Sequence, residues 1–381
     1  MWWTAIRIGA SLLALASFAY YAIALIAAWR FFERGVPVGA VSDGSSPPLS
    51  LLKPIYGLDR ETYENYASFC RQDYPDYEIL FCVSDVHDPA IDVIEKLIHD
   101  FPAQRIRLLI GSEPLGVSDK VNKLCRMARE ARHDLLVVTD SDVRVEPGFL
   151  RAVAAPFNDA SVGGVTCLYK GLTDGSLAAD LEATGNSTDF AAGVLVAWLF
   201  APVNFMLGAV MATTKERLTE IGGFEALVDF FSDDYELGNR IAKNERVELI
   251  SFPVSIVYPQ QSVGEAFRHQ LRWCLSIRFS RPAGYVGLLF TQGLPLALIA
   301  ALLSPKLTIA AAFIGTYLVL RYSVAFAIGL DGIRDDLIRR KFYLLPLRDA
   351  FAFVVWLSSF FPQTISWRGK RFRVRERKLV A

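Results

Sequence analysis

The chain begins with a long apolar block. Residues 4–29 are long and apolar enough to span a bilayer, and Arg30 and Arg34 follow directly. Because no small-residue cleavage site closes this block, we interpret residues 1–34 as a retained anchor rather than a cleaved signal peptide. The excess of positive charge on its far side predicts that the chain from residue 30 onward lies in the cytoplasm.

The middle of the chain changes to short apolar runs separated by helical patterns. A linker rich in Gly, Ser and Pro, residues 35–48, comes first. The apolar runs predict four buried strands, at 49–54, 77–84, 106–110 and 134–140, with helices between them near 60–71, 90–100 and 119–132. This alternation predicts an α/β domain with a doubly wound, mainly parallel sheet, whose ligands bind at the carboxyl ends of the strands.

The C-terminal third is apolar again, in runs at 285–304, 307–330 and 342–365. The last run carries Arg348 and Asp349, so we expect it to lie at the interface or to re-enter rather than to cross. The strongly basic residues 366–381 that follow predict a cytoplasmic tail.

Another apolar run, residues 190–211, could span a membrane by its length alone. A single crossing there would place the acidic residues near 140 and near 234 on opposite sides of the membrane. Pro202 and Asn204 also weaken a spanning helix. We therefore predict that this run stays with the cytoplasmic domain, partly as core and partly as a surface that touches the bilayer.

Composition supports a membrane protein with a large aqueous domain. Hydrophobic residues make up 52% of the 381 residues, and the mean hydropathy is +0.30. The formal net charge is zero, which gives no support to a nucleic-acid partner. The five cysteines are scattered, without a CxxC pair, and predict buried free thiols in a reducing compartment.

Acidic residues follow two of the predicted strands. Asp140 and Asp142 form a DxD sequence after the strand at 134–140, and two carboxylates there suit a divalent cation that bridges phosphates. A solvated acidic turn is the alternative. Asp85 follows the strand at 77–84 and could contact a nucleotide, whereas Asp88, before Pro89, could cap the next helix.

Charged residues also open two predicted helices. Lys120 and Asn122 begin the helix after a Gly-containing loop, where a phosphate would be favoured, unless this is only an exposed helix face. Asp233 and Asp234 begin a later helix, and an adjacent acid pair can raise one pKa toward that of a general base. Favourable charge at a helix N-terminus would explain the same pair.

A last candidate is Arg272-Trp273, within the amphipathic segment 267–278. The arginine could neutralise a leaving diphosphate, and the tryptophan could pack on a sugar or an acceptor. A basic helix lying on anionic lipid headgroups is the alternative.

Taken in order, these motifs resemble the ceramide glucosyltransferases, glycosyltransferase family 21, and the similar hopanoid glycosyltransferases of bacteria. The resemblance covers nearly the whole chain. It is carried by "LLKPIYGLD", "NYASFCRQDYPDYEILFCVSDVHDPAIDVIEKL", "GVSDKVNKL", "VTDSDVRV", "IGGFEAL", "SDDYELG", "RHQLRW" and "TISWRGKRFRV". It implies a GT-A fold.

The resemblance also implies roles for individual residues. The expected donor-binding residues are Lys53, Pro54, Asp85, Lys120, Asn122 and Asp140. Asp140 and Asp142 would hold Mg²⁺ or Mn²⁺, and Asp234, beside Asp233, would be the general base. Arg272 and Trp273 match the end of the family's Arg-Trp element, but His269 stands at its first position, where the family has Gln or Arg.

The predicted function is transfer of glucose from UDP-glucose to ceramide, with inversion, by a multi-pass protein of a bacterial inner membrane. Transfer of a sugar such as N-acetylglucosamine from its UDP derivative to a hopanoid is the alternative. A processive polysaccharide synthase would need more spans, and an inactive scaffold would not need every acid. The predicted domains are the anchor 1–34, the linker 35–48, a catalytic domain 49–261, an interface helix 262–283, a membrane region 284–365 and the tail 366–381.

Overall fold

The structure is a computed structural model that describes residues 2–34, 46–361, 364–367, 370–375 and 377–380. Most of the predicted linker, residues 35–45, lies outside this range. The chain forms two compact units. The sheet unit comprises residues 35–172, 202–259 and 366–381, and the helical unit comprises residues 1–34, 173–201 and 260–365.

The sheet unit is built on eight strands in the order β3-β2-β1-β4-β7-β6-β8-β5. Their bounds are β1 Leu49–Pro54, β2 Tyr77–Val83, β3 Arg105–Ile110, β4 Leu135–Thr139, β5 Val143–Arg144, β6 Val162–Leu172, β7 Val210–Thr214 and β8 Arg246–Val257. Every residue of β1, β2 and β4 is buried, which explains their nearly continuous apolar sequences. The four strands predicted from these runs are confirmed.

The sheet is mixed, and parallel strand pairs outnumber antiparallel ones by four to three. The pairs β1-β2, β1-β4, β2-β3 and β6-β8 are parallel, but β4-β7, β6-β7 and β5-β8 are antiparallel. The parallel half is the part that the alternating strand and helix pattern predicted. In the β4-β7 pair Thr139 lies opposite Val210. The antiparallel direction therefore brings the residues just before β7 to the carboxyl end of β4.

Six helices belong to the sheet unit. They are α2 Thr62–Cys70, α3 Ala90–Asp100, α4 Asp119–Glu130, α5 Phe149–Ala154, α8 Lys215–Glu220 and α9 Asp233–Ile241, with the numbering following chain order. The first three were predicted. The side chain of Ser118 accepts a hydrogen bond from the Val121 amide and caps α4. Val121 and Leu124 bury one face of that helix.

The end of the chain forms a second sheet, of three strands in the order β11-β10-β9. Its strands are β9 Thr364–Trp367, β10 Lys370–Arg375 and β11 Lys378–Val380. Residues 366–381, predicted as a separate basic tail, group with the large sheet in one compact unit.

The helical unit contains the remaining helices. They are α1 Trp2–Arg34, α6 Leu177–Gly185, α7 Ala191–Phe200, α10 Val263–Ser280, α11 Pro282–Gly287, α12 Gly293–Leu302, α13 Leu307–Val324, α14 Asp336–Lys341 and α15 Leu345–Ser358. Among the described residues, Trp2–Glu33 and Leu307–Gly332 are each long and apolar enough to cross a membrane. Pro282–Thr291 and Gly293–Leu302 reach that length only as a pair bent by 51°.

The two ambiguous apolar runs have short helices. In the run 342–365, α15 has 14 residues, or about 21 Å of helix against the ~30 Å of a hydrocarbon core. The run 190–211 is divided, because residues up to 201 group with the helical unit and the rest with the sheet unit. The predicted catalytic span 49–261 is therefore interrupted by residues 173–201, which sequence patterning had not separated. All five cysteines are buried free thiols, as predicted.

Candidate active site at the carboxyl end of the central strand

Two carboxylates from distant parts of the sequence meet beside Gly208. Asp140 directly follows β4, and Asp234 lies in the first turn of α9. A methyl group placed on Gly208 would lie 3.1 Å from Oδ2 of Asp234 and 3.7 Å from Oδ2 of Asp140. The acids therefore share one small space, and the apolar run 190–211 does not separate them, as the sequence argument required.

Gly208 is a site residue that the sequence gave no reason to single out. We expect Gly208→Ala to lower turnover by about tenfold, because the methyl group would push the Asp234 carboxylate by a few tenths of an ångström, whereas its 3.7 Å approach to Asp140 is an ordinary contact. The backbone would tolerate alanine, since Gly208 is not among the residues with positive φ. Steady-state kinetics would test this, with an unchanged melting temperature as the control for folding. Wild-type turnover would show that the space between the acids is not used.

Lys120 joins the two acidic segments. Its Nζ lies 2.8 Å from Oδ1 of Asp140 and 3.5 Å from Oδ2 of Asp233. Burial lowers the pKa of Lys120, but the nearby carboxylates of Asp140 and Asp233 raise it by more than burial lowers it. The net pKa of Lys120 is therefore above its ordinary value. The ammonium is thus held charged at the N-terminus of α4, where both the charge and the helix dipole favour an anion.

Burial changes the acidity of two of the acids. It raises the pKa of Asp234 to about 7, with a further increase from Asp233 and a decrease from Lys120. It also raises the pKa of Asp142 to about 7, with Asp140 adding to the shift. Oδ1 of Asp234 accepts a hydrogen bond from the Tyr235 amide at 2.7 Å, which fixes the carboxyl group with Oδ2 toward Gly208.

The DxD carboxylates suit a divalent cation in their chemistry. Asp142 is half-buried near Asp140, and repulsion from Asp140 adds to the rise in its pKa that partial burial causes; a divalent cation would offset that repulsion. No cluster of three or more acidic, His or Cys side chains able to hold a metal occurs in the part of the chain that the structure describes. Two carboxylates leave several positions for phosphate oxygens and water, which is the usual arrangement for Mg²⁺.

Lys53 and Pro54, expected on the donor side, end β1 and are buried. The Lys53 ammonium donates to Oγ1 of Thr139 and to the carbonyl oxygen of Asp140, both at 2.9 Å. It also lies 3.9 Å from the centre of the Phe69 ring, and burial lowers its pKa to about 7. Lys53 thus holds the backbone at the end of β4 rather than presenting its charge to solvent.

The remaining acidic and amide residues on the expected donor side differ in their exposure and in their hydrogen-bond partners. Asp85 is exposed, and its Oδ1 accepts from the His87 amide at 2.9 Å. Asp88 accepts from the Ala90 amide at 2.9 Å, which confirms its expected role at the start of α3. Asn122 is 6% exposed and closes the loop before α4. Its Oδ1 accepts a hydrogen bond from the Gly116 amide, and its Nδ2 donates to the Gly116 carbonyl oxygen. Its side chain therefore fixes the loop that precedes α4.

Arg272 and Trp273 belong to the helical unit and are half-buried on α10. The ring of His269 lies 4.7 Å from that of Trp273, and its Nδ1 lies 2.5 Å from Oε1 of Glu182. Burial raises the pKa of Glu182, but hydrogen bonds from His269 and its neighbours outweigh this, and the net pKa is lowered. A charged carboxylate therefore orients His269.

The helical unit also contains buried charges that sequence patterning had not connected. Arg321, on α13, pairs with Asp349 at 2.8 Å and with Asp189 at 2.5 Å. Asp189 in turn binds Arg348 at 3.0 Å, and Arg348 donates to Gln270 at 3.2 Å. The presence of Arg348 and Asp349 in an apolar run was the only signal of this network.

A family model provides the first comparison with known proteins. The model for glycosyl transferase family 21 matches residues 9–380. The match thus extends from the N-terminal helix into β11.

Individual relatives give the same indication over shorter regions. Ceramide glucosyltransferase 1 of Caenorhabditis elegans is 30% identical over 194 residues, which are 51% of this chain and 41% of the relative. Ceramide glucosyltransferase of Komagataella phaffii is 33% identical over 155 residues, 37% of this chain and 30% of the relative. The chain spans less than half the length of each of these curated relatives.

A solved structure is similar over nearly the whole chain. The mannosyltransferase PcManGT from Pyrobaculum calidifontis, in complex with GDP-Man and Mn²⁺, aligns with a TM-score of 0.56 and 18% sequence identity. The alignment covers 93% of this chain and 99% of that one. The likeness confirms the predicted GT-A fold.

Proposed function

The chain belongs to glycosyl transferase family 21, and from this premise we propose that it transfers glucose from UDP-glucose to the primary hydroxyl of ceramide. The observation that carries the proposal is the meeting of Asp140 and Asp234 at Gly208, with Lys120 bound to the former. Asp140 faces the Lys120 ammonium at the start of α4, and this positive surrounding suits a diphosphate. The other acid, Asp234, has a raised pKa, which suits proton transfer.

The donor would bind with its diphosphate near the N-terminus of α4. Lys120 offers a held positive charge there, and the hydrogen bonds of Asn122 fix the preceding loop. Asp140 and Asp142 would hold Mg²⁺ or Mn²⁺, which, when bound, would supply Lewis-acid stabilisation of the leaving diphosphate. The mannosyltransferase with a similar fold was solved in complex with Mn²⁺, which supports the same choice of cation.

The acceptor chemistry would centre on Asp234. Its carboxylate removes the proton of the lipid hydroxyl as the oxygen attacks the anomeric carbon. Attack in line with the leaving UDP is a single displacement, so the anomeric configuration inverts and the product is a β-glucoside. Arg272 would add positive charge for the leaving group, and Trp273, oriented by His269, would pack on a sugar or on the lipid.

Ceramide is favoured as acceptor by the names of the relatives. A hopanoid polyol with another UDP-sugar remains the second candidate, because "RHQLRW" and "PAGYVG" resemble the hopanoid-linked branch. Both lipids would present a hydroxyl at the bilayer surface, so the residues and steps above serve either one.

The direct test is an assay of the purified protein in lipid or detergent. UDP-glucose or UDP-N-acetylglucosamine would be supplied with Mn²⁺, and with either ceramide or a polyol-bearing hopanoid, and mass spectrometry would identify the products. We expect a hexosylceramide that forms only when metal is present. A product with the hopanoid alone would keep the mechanism and replace the acceptor. Absence of any lipid product, with both sugars and both acceptors, would refute the proposed function.

The composition of the sheet unit limits how many times the helices between its parts can cross the membrane. This unit contains both residues 46–172 and the strands β10 and β11, which must then lie on the same side of the membrane. An even number of crossings must separate these two parts of the chain. We propose that the bent pair α11-α12 and the helix α13 cross and that α15 does not, with the sheet unit in the cytoplasm behind Arg30 and Arg34.

Protease protection in sealed inner-membrane vesicles would test this topology. A C-terminal tag should be protected in right-side-out vesicles and cleaved in inverted vesicles, because the tail and the sheet unit share the cytoplasmic side. A tag on the N-terminus should show the opposite pattern and serves as the matched control. Cleavage of both tags in the same vesicles would contradict an even number of crossings, and cleavage of the C-terminal tag alone in right-side-out vesicles would contradict a cytoplasmic sheet unit.

A further inference from the structure

The short segment 228–231, which precedes the acid pair of α9, is bound by the end of the chain. The Phe231 amide donates to the carbonyl oxygen of Arg377 at 3.0 Å, and the Leu379 amide donates to the carbonyl oxygen of Asp229 at 2.8 Å. Phe230 and Lys378 form the β-bridge between these two hydrogen bonds. The last strand thus pairs with the backbone that leads directly into Asp233 and Asp234.

Side chains strengthen this pairing. Nη1 of Arg377 lies 3.1 Å from Oε1 of Glu236, which is 6% exposed and lies one turn into α9. The guanidinium also lies 5.9 Å from the centre of the Tyr235 ring. Leu379 is 3% exposed. Because the glutamate side of this ion pair is shielded, removing Arg377 would leave a buried carboxylate whose other cation, Arg240, lies 3.8 Å away.

The opposite side of the same segment contacts the loop before α4. The Ser118 amide donates to the carbonyl oxygen of Val228 at 2.8 Å, and the Val117 amide donates to Oδ1 of Asp229 at 3.1 Å. Segment 228–231 therefore links the C-terminal strand to the loop that precedes Lys120.

We propose that β11, together with Arg377, is a positioning element that holds Asp234 in place for proton transfer. This inference rests on the proposed function, because it assigns Asp234 as the base. The strand touches neither Asp140 nor Asp234 in the described contacts, so it acts through segment 228–231 and Glu236. Because the described side-chain contacts of Arg377 are with Glu236 and Tyr235, both on α9, loss of this side chain should lower kcat more than it weakens the binding of UDP-glucose.

The test compares three variants of the full-length protein. Arg377→Ala removes the ion pair with Glu236, Arg377→Lys retains the charge, and Lys243→Ala removes an exposed positive charge beyond the other end of α9. We expect Arg377→Ala to lower kcat about 10- to 100-fold, since misplacement by about 1 Å has effects of this size. Arg377→Lys should recover much of the loss, and Lys243→Ala should match the wild type. The dissociation constant of UDP-glucose should change less than threefold.

A second measurement does not depend on turnover. Hydrogen exchange of the amides in residues 228–236 should become faster in Arg377→Ala and in a chain ending at residue 376, while β1 and β4 stay protected. Wild-type kcat and unchanged exchange in both altered chains would overturn the inference. Faster exchange without any lipid product from the wild type would refute the proposed function but leave the structural coupling in place. If Arg377→Ala unfolds the whole protein, so that protection is lost everywhere, Arg377→Lys, which keeps the charge, still tests the inference in a folded chain.

Discussion

Replacing Asp234 by asparagine is expected to reduce transfer about 1000-fold while the affinity for UDP-glucose stays within about threefold. The change removes the general base, whose contribution to such reactions is typically 100- to 10,000-fold. Asparagine has the same shape and can still accept the hydrogen bond from the Tyr235 amide. Single-turnover kinetics and donor titration would separate the two effects. Turnover near that of the wild type would require another group to be the base.

The pH dependence of turnover gives an independent check on the same residue. The folded-state pKa of Asp234 is raised to about 7 by burial and by Asp233, so the carboxylate is available above this value and protonated below it. The rate should therefore fall as the pH drops below about 7, by about tenfold per pH unit from Asp234 alone and more steeply where Asp142, whose pKa is also raised to about 7, must ionise as well. Asp233→Asn removes a charge that raises the pKa of Asp234, so the acidic limb of the profile should move to lower pH.

Replacing Asp140 by alanine is expected to weaken binding of UDP-glucose about 100-fold or more and to remove its dependence on Mn²⁺. The carboxylate has two tasks in the proposed site, since it would hold the cation and it binds the Lys120 ammonium at 2.8 Å. Removal of one partner from a buried, hydrogen-bonded charge pair costs about 2–5 kcal/mol of binding free energy, and each 1.4 kcal/mol corresponds to a factor of about ten in affinity. Isothermal titration with and without Mn²⁺ would measure both changes.

The matched control for this prediction is Asp88→Ala. Asp88 is also an acid after a buried strand, but its two carboxylate oxygens accept from the backbone amides of Gly57 and Ala90. Its loss should affect stability more than the response to Mn²⁺. If Asp140→Ala kept the wild-type response to Mn²⁺, the DxD would be a solvated acidic turn, which the sequence alone left open.

Local patterning predicted the half of the fold that is local in sequence. β1 to β4 and the helices between them follow from buried apolar runs and amphipathic segments, because neighbouring strands of a parallel sheet are joined by a helix of similar length. The antiparallel entry of β7 between β4 and β6 could not be predicted in this way. Its partners lie far apart in sequence, and no short-range periodicity records which strand a distant segment will join.

In the candidate site too, some features depend on nearby residues in the sequence and others depend on contacts made only by folding. The sequence determined which residues have acidic, basic and aromatic chemistry, that Asp140 follows a strand and that Asp233 and Asp234 begin a helix, because these properties depend on nearby residues. Only the tertiary structure decided that the two carboxylates meet beside Gly208, that the buried Lys53 donates to the carbonyl oxygen of Asp140, that Glu182 orients His269, and that the chain end pairs with residues 229–231. Such contacts depend on chain segments brought together by folding, and their energies come from burial and hydrogen bonding across distances in sequence that no local pattern encodes.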